Sequence, residues 1–228
     1  MASPTDMGAI ADWFEHRPIN KASRTALAEK LRSRFDFVGI EWADQNGAEV
    51  RMLDYACGPG FLSRLFAPRV SSVTAIDAAQ AMVDRYRARI GELGDIHEGT
   101  KVVVGDLLLD SVESPALAGR EFFDFDLVAV GAALHHFPDP ARAVEVLARR
   151  LKLGGVLYVQ DLFHNGGQTG EEEKGPRGYT EEEMRAMMDG AGLGDFKFES
   201  LPGETEIELL SEEVVRVKLF VTRARKEG

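Results

Sequence analysis

The sequence predicts an α/β fold in which a mostly parallel sheet is covered by helices on both faces. Three observations carry that expectation. Short apolar runs alternate with stretches of helical periodicity, as in a chain that crosses a sheet and returns outside it through helices. The first run opens into a loop of small residues, Ala56-Cys57-Gly58-Pro59-Gly60, that turns sharply toward a helix. The 228 residues are 44% hydrophobic, which suffices for the core of a single domain.

The elements follow in order. Ala22, Leu27, Leu31 and Phe35 recur at helical spacing within 11–42 and predict an amphipathic helix that packs on the sheet. Ahead of it, Trp13 and Phe14 read either as an aromatic staple at the helix entrance or as a cover over a ligand. The first strand runs to Leu53, and a helix over 61–67 leaves the small-residue loop. A second run, 73–76, ends in Asp77, and a third, 102–104, leads through Gly105 to Asp106. The fourth strand covers 125–131 and is followed by Leu134-His135-His136-Phe137 and a helix from about 140 to 151. Leu153-Gly154-Gly155 then turns into a fifth strand. Residues 164–180, rich in Gly and Glu, read as a long loop. Thr180 with Glu183 forms a capping box for a helix over 181–191 that ends at Gly190 or Gly192. Alternation over 195–201 and 215–222 predicts a terminal pair of half-exposed strands, and the acidic connection 202–212 reads as solvent-facing.

A strand that turns through small residues into a helix brings backbone N–H groups up to a ligand. An acidic residue at the tip of the second strand, Asp77, can accept both hydroxyls of a ribose. Together they predict a nucleoside-cofactor site. A dinucleotide site requires G-x-G-x-x-G, whereas here the small residues stand at 56, 58 and 60, with Asp54 two residues earlier.

That spacing resembles the first motif of class I S-adenosylmethionine (SAM) dependent methyltransferases, with Ala56 where the family more often carries glycine. The resemblance runs from about 50 to 225 and includes Phe125-Asp126-Leu127-Val128, Leu134-His135-His136 and Leu153-Gly154-Gly155-Val156-Leu157, with Lys152-Leu153 replacing the usual Arg-Pro pair. It is closest to the small-molecule, type 11-like branch. It implies a Rossmann-like seven-stranded sheet of order 3-2-1-4-5-7-6 with the last strand antiparallel. One domain, 1–228, is then divided into an N-terminal helical lid (1–45), a cofactor-binding core (46–162) and a C-terminal helix and hairpin (163–228). The resemblance further implies that SAM is bound by Asp54, Ala56, Gly58, Gly60, Asp77, Ala78, Asp106, Leu107 and Gly131 and leaves as S-adenosylhomocysteine. Asp54 would orient the ammonium group, Asp77 the ribose, and Asp106 the adenine amino group. The lid and acceptor side would draw on Trp13, Phe14, His16, Asp161 and His164.

His135 and His136 are the candidate catalytic pair, either as a base for the acceptor or as residues that shape the pocket. Adjacent histidines are expected to point apart, and no Cys/His spacing indicates a metal. Cys57 reads as a small packing residue in the loop. With 38 acidic against 27 basic residues the net charge is −11, the wrong sign for attraction to nucleic acid phosphates. No Asn/Asp-Pro-Pro-Tyr motif of base methyltransferases follows the fourth strand. The expected partner is a small-molecule acceptor methylated at oxygen, nitrogen, sulfur or carbon. A single cysteine, no 18-residue apolar segment and no secretory pattern in the first twenty residues predict a cytoplasmic protein that does not engage membranes. The oligomeric state is not legible. Two other readings stand: a SAM-binding protein of this fold with a non-methylating role, and an NAD(P)-dependent oxidoreductase, the latter disfavoured by the glycine spacing and by the lack of a Tyr-x-x-x-Lys motif.

Overall fold

A computed structural model describes residues 16–109, 117–164 and 178–228. The elements are α1 (Pro18–Arg32), helical turns at Phe35–Val38 and Ala43–Asn46, β1 (Arg51–Tyr55), α2 (Phe61–Phe66), β2 (Ser72–Asp77), α3 (Gln80–Ala88), β3 (Lys101–Val104), β4 (Phe125–Gly131), α4 (Pro140–Ala148), β5 (Leu151–Phe163), α5 (Glu181–Gly190), β6 (Leu193–Ser200), β7 (Thr205–Glu208) and β8 (Val214–Lys226). The strand order is β3-β2-β1-β4-β5-β8-β6, with β7 also paired to β8. Strands β1 to β5 run parallel, and β8 enters antiparallel between β5 and β6.

The predicted architecture is therefore present, with one added element. The connection 202–212 contains the short strand β7, so the final strand is the eighth in chain order. Phe163, at the end of β5, pairs with Lys218, and β7 pairs with the earlier part of β8, Val214–Val217. The β7–β8 ribbon thus reaches beyond the carboxyl ends of the parallel strands, the edge where such sheets place their ligands. The other outer boundaries are shifted modestly: β5 begins at Leu151 rather than at 153, and the long N-terminal helix ends at Arg32, short of Phe35.

Each face of the sheet carries its own core. On one face Leu31, Trp42, Leu62, Leu65, Phe66 and Tyr86 pack against Met52, Tyr158 and Val221. Trp42 stacks on Phe66 at 5.6 Å between ring centroids, with Phe35 at the edge of both. On the other face Val144, Leu147, Met184 and Met188 cover Leu53, Val128, Leu157 and Phe220. Helix α5 begins as expected: Thr180 Oγ1 accepts from the Glu183 N–H, and the Glu183 carboxylate accepts from the Thr180 N–H. Helix α1 is tied to the ribbon by Asn20, only 4% exposed. Its Nδ2 donates to the Glu208 carbonyl at 3.1 Å and its Oδ1 accepts from the Glu208 N–H at 2.9 Å. The amide side chain acts as a further strand would, satisfying the free edge of β7.

Candidate functional site

Four loops meet at the carboxyl edge of β1, β2, β3 and β4. Between β1 and α2 the backbone turns through Ala56 (φ 51°), Gly58 (φ 49°) and Gly60 (φ 85°). Gly60 is required on two counts, because a Cβ there would stand 2.7 Å from the Tyr86 ring. At Gly58 a Cβ would meet nothing within 4 Å, so the turn presents open space beside its backbone. Ala56 holds a left-handed conformation that costs an alanine about 1–2 kcal/mol. Ala132, which follows the neighbouring strand β4, is left-handed too (φ 49°). Backbone strain at the ends of two adjacent central strands is a feature of functional edges.

Two buried carboxylates organise this turn. Asp77 Oδ2 accepts from the Gly58 N–H at 2.8 Å and Oδ1 from the Ala79 N–H at 2.9 Å. Burial raises its pKa, and the two backbone hydrogen bonds oppose that rise. Asp54, 2% exposed, has Oδ2 engaged by the Ser63 hydroxyl at 2.6 Å and the Ser63 N–H at 3.0 Å. Burial pushes its carboxyl up to about 7 despite those bonds. A carboxylate held this way gains most from a cation placed beside it. Between them Cys57 is buried and its thiol is pushed well up by burial, so it packs rather than reacts.

On the β3 side, Asp106 Oδ1 accepts from the Tyr55 hydroxyl and from the Leu108 N–H, both at 2.8 Å. Leu107 is half-buried beside it, Ala78 is exposed at the start of the turn into α3, and Gly131 closes β4, where a Cβ would meet Leu62 at 2.8 Å. All nine expected cofactor positions therefore lie along the edge formed by β1, β2, β3 and β4.

Past β4, a single 3₁₀ turn, Leu134–His136, carries the two histidines. The expectation that they diverge is not met: successive residues of a 3₁₀ turn leave its axis about 120° apart, yet the two rings fold back into contact, their centroids 3.9 Å apart. His135 Nδ1 lies 2.6 Å from Asp161 Oδ1, and the His135 N–H donates to Asp161 Oδ2 at 3.2 Å. Asp161 is fully buried and also accepts from the Leu162 N–H at 2.7 Å. A carboxylate oxygen accepts, so this short contact places a proton on His135 Nδ1, and the neutral form of the ring then carries its lone pair at Nε2. Partial desolvation, then the charge of His135, hold His136 below the ordinary imidazole value.

The remaining expected residues scatter. His16 is exposed ahead of α1, and His164 follows β5, half-buried, its N–H donating to the Tyr179 carbonyl. Trp13 and Phe14 lie outside the described residues. Among the described residues no cluster of His, Cys, Asp and Glu could hold a metal ion, and no helix is long and apolar enough to cross a membrane. Two contributors were invisible in the linear sequence: Ser63, which braces Asp54, and Asn20, which ties α1 to the ribbon. Only the serine's place one helical turn into α2 offered a hint.

Comparison with known proteins places the same region. A family profile described as "Methyltransferase domain" matches residues 53–159. A ubiquinone biosynthesis O-methyltransferase of Xanthomonas oryzae is 36% identical over 129 residues, which cover 57% of this chain and 48% of that protein. The chain thus matches about half the length of this curated relative. Among solved structures, a putative methyltransferase of Bacillus halodurans aligns with a TM-score of 0.57 at 21% identity, covering 79% of this chain and 94% of the other. Phosphoethanolamine N-methyltransferase 2 of Haemonchus contortus, in complex with S-adenosyl-L-methionine, aligns with a TM-score of 0.63 at 15% identity, covering 88% and 52%. At such identities the structural likeness shows the fold alone.

Proposed function

We propose, from the match of residues 53–159 to a methyltransferase domain, that the chain is a class I SAM-dependent methyltransferase that transfers a methyl group from SAM to an oxygen of a small-molecule acceptor, with His135 as base and Asp161 as its positioning residue. The residues at the edge fit the donor. Asp54 offers a buried carboxylate to an ammonium group, Asp77 stands at the tip of β2 for a ribose, and the turn at Gly58 has room for close approach. When bound, SAM supplies an electrophilic methyl on a sulfonium, so the difficult chemistry belongs to the cofactor. The protein's share is to hold the acceptor in line and to exclude water, which contributes roughly 7–11 kcal/mol in well-oriented systems.

The observation that carries the choice of oxygen is the His135–Asp161 pair. A hydroxyl must lose its proton as it is methylated, and an imidazole fixed at Nδ1 by a buried carboxylate presents Nε2 for that proton. The name of the Xanthomonas relative, an O-methyltransferase, supports the same atom. His136, kept neutral by its surroundings, is the second candidate base and packs against His135.

The test is radiolabelled methyl transfer to a panel of small phenols and amines, followed by pH profiles of His135→Gln and His136→Gln. Loss of the base lowers turnover by roughly 10²–10⁴-fold. His135→Gln is expected to fall in that range and to lose the acid limb of its profile. Full turnover by both variants across the neutral range would leave the pair a pocket-shaping role and remove the base from this reading.

A further inference from the structure

One tyrosine is bonded to both elements that make the His135–Asp161 pair. Tyr179 follows Gly178, where a Cβ would run into the Leu162 carbonyl, so glycine is what lets the chain lie this close to β5. The Tyr179 N–H donates to the Leu162 carbonyl, and the Tyr179 carbonyl accepts from the His164 N–H, both at 2.9 Å. Tyr179 therefore sits beside Phe163 as a parallel extension of the sheet. Thr180, next in the chain, is the N-cap of α5. The backbone of Tyr179 is thus fixed on both sides. From this seat its ring packs against the core that holds Leu134 and Met184, and its hydroxyl donates to the Leu134 carbonyl at 2.9 Å.

That carbonyl is a specific target. Leu134 opens the turn that carries the histidines, and its carbonyl also accepts from the Phe137 N–H at 3.1 Å, closing the turn. A single 3₁₀ turn has poor hydrogen-bond geometry and holds its shape weakly alone. The chain enters it through the left-handed Ala132, whose N–H donates to the Gln160 carbonyl at 2.7 Å. Asp161 stands one residue before Leu162 on β5. The strand that presents the carboxylate and the turn that presents the imidazole are therefore both bonded to Tyr179.

We propose that Tyr179 is a positioning residue for methyl transfer: its main chain locks β5 beside Asp161, its hydroxyl locks the turn that carries His135, and together they set the 2.6 Å contact between the two. The proposal rests on the reading of His135 as base. Without the hydroxyl, Leu134 loses one of its two bonds and the imidazole gains room to turn away from the carboxylate. A displacement of about 1 Å at a reacting group costs up to about 10²-fold in rate. The expected donor-binding carboxylates Asp54, Asp77 and Asp106 stand on other elements, so the loss falls on kcat.

The experiment compares the full chain with its Tyr179→Phe variant, each loaded with S-adenosylhomocysteine. The hydrogen-bonded Nδ1 proton of His135 is followed by proton NMR and assigned by its disappearance in His135→Gln. Tyr179→Phe keeps the ring. It is expected to melt within a few degrees of the native protein and to bind S-adenosylhomocysteine with unchanged affinity. Its Nδ1 resonance is expected to broaden or vanish as exchange with water quickens. In radiolabelled transfer to the phenol panel its kcat is expected to fall roughly 10–100-fold with KM unchanged. A melting temperature lowered by several degrees with the Nδ1 resonance retained would assign the hydroxyl to stability instead. Absence of that resonance from the native protein, an unchanged kcat, or weaker binding of S-adenosylhomocysteine to Tyr179→Phe would each overturn the proposal. Full turnover by His135→Gln is a separate outcome: it brings down the base reading, while the Nδ1 resonance still decides whether Tyr179 sets the pair.

Discussion

Ala56 leaves β1 with φ 51°, at the position where the resembled motif more often has glycine. The departure was legible in the sequence as a difference of residue type; its cost, a left-handed alanine, was not. Ala56→Gly removes a penalty of about 1–2 kcal/mol and adds back about 0.5–1 kcal/mol of chain flexibility. The variant is expected to gain up to about 1.5 kcal/mol, or at most roughly 3–6 °C in melting temperature. A lower melting temperature would show that the surrounding turn does not hold strain. Asp54 gives a second prediction at this scale. Its folded pKa of about 7 lies above the ordinary carboxylate value of 3.8, so the folded protein holds a proton that the unfolded chain releases between these values. The stability associated with that proton is complete below pH 4 and lost as pH rises through 7. Thermal melts of Asp54→Asn should therefore gain on the native protein from pH 5 to pH 8. A SAM ammonium beside Asp54 favours the charged form, so saturating S-adenosylhomocysteine should shrink that gain. A difference independent of pH would assign the raised pKa to some other group.

At the scale of elements, the sequence conveyed what is written in local pattern and missed what is written in register. The runs ending at Asp77 and Asp106, the strand 125–131 and the Thr180 capping box are each set by neighbours within a few residues, and the structure has them in place. Strand β7 was missed because Thr205–Glu208 is short and acidic, and its stability comes from β8 on one edge and from a side chain 188 residues away on the other. The His135–Asp161 pair was missed as a pair for the same reason: 26 residues separate the two, and only the parallel alignment of β4 with β5 joins them. Asn20 tests the first of these arguments. Asn20→Ala leaves the N–H and carbonyl of Glu208 without protein partners, at a cost of about 1–3 kcal/mol. Amide hydrogen exchange across 205–217 should rise together with a lower melting temperature. Unchanged protection of that ribbon would show that α1 docks through its apolar face alone.

At the scale of the molecule, the alternating strands and helices and the placement of the nucleoside loop were legible in the residues themselves, whereas the sheet order followed only from the family resemblance. The acceptor was not legible, because recognition of a small molecule rests on surface segments that vary freely on a shared scaffold. One competing reading, a nicotinamide cofactor, is separated by a single property of the whole molecule: which nucleoside stabilises it. A ligand that binds only the folded state adds about 2.7 kcal/mol at one hundred times its dissociation constant. Titration with SAM and S-adenosylhomocysteine is expected to give micromolar binding and a matching rise in melting temperature, with no response to NAD. The charge of the protein argues for the same order, since a net −11 disfavours a ligand carrying a pyrophosphate more than one carrying a sulfonium. Binding of NAD in place of the sulfur nucleosides would mean that Asp54 and the turn at 56–60 serve a pyrophosphate after all. That outcome requires a buried acid and an anion to share one loop, which the position of Asp54 beneath that turn opposes.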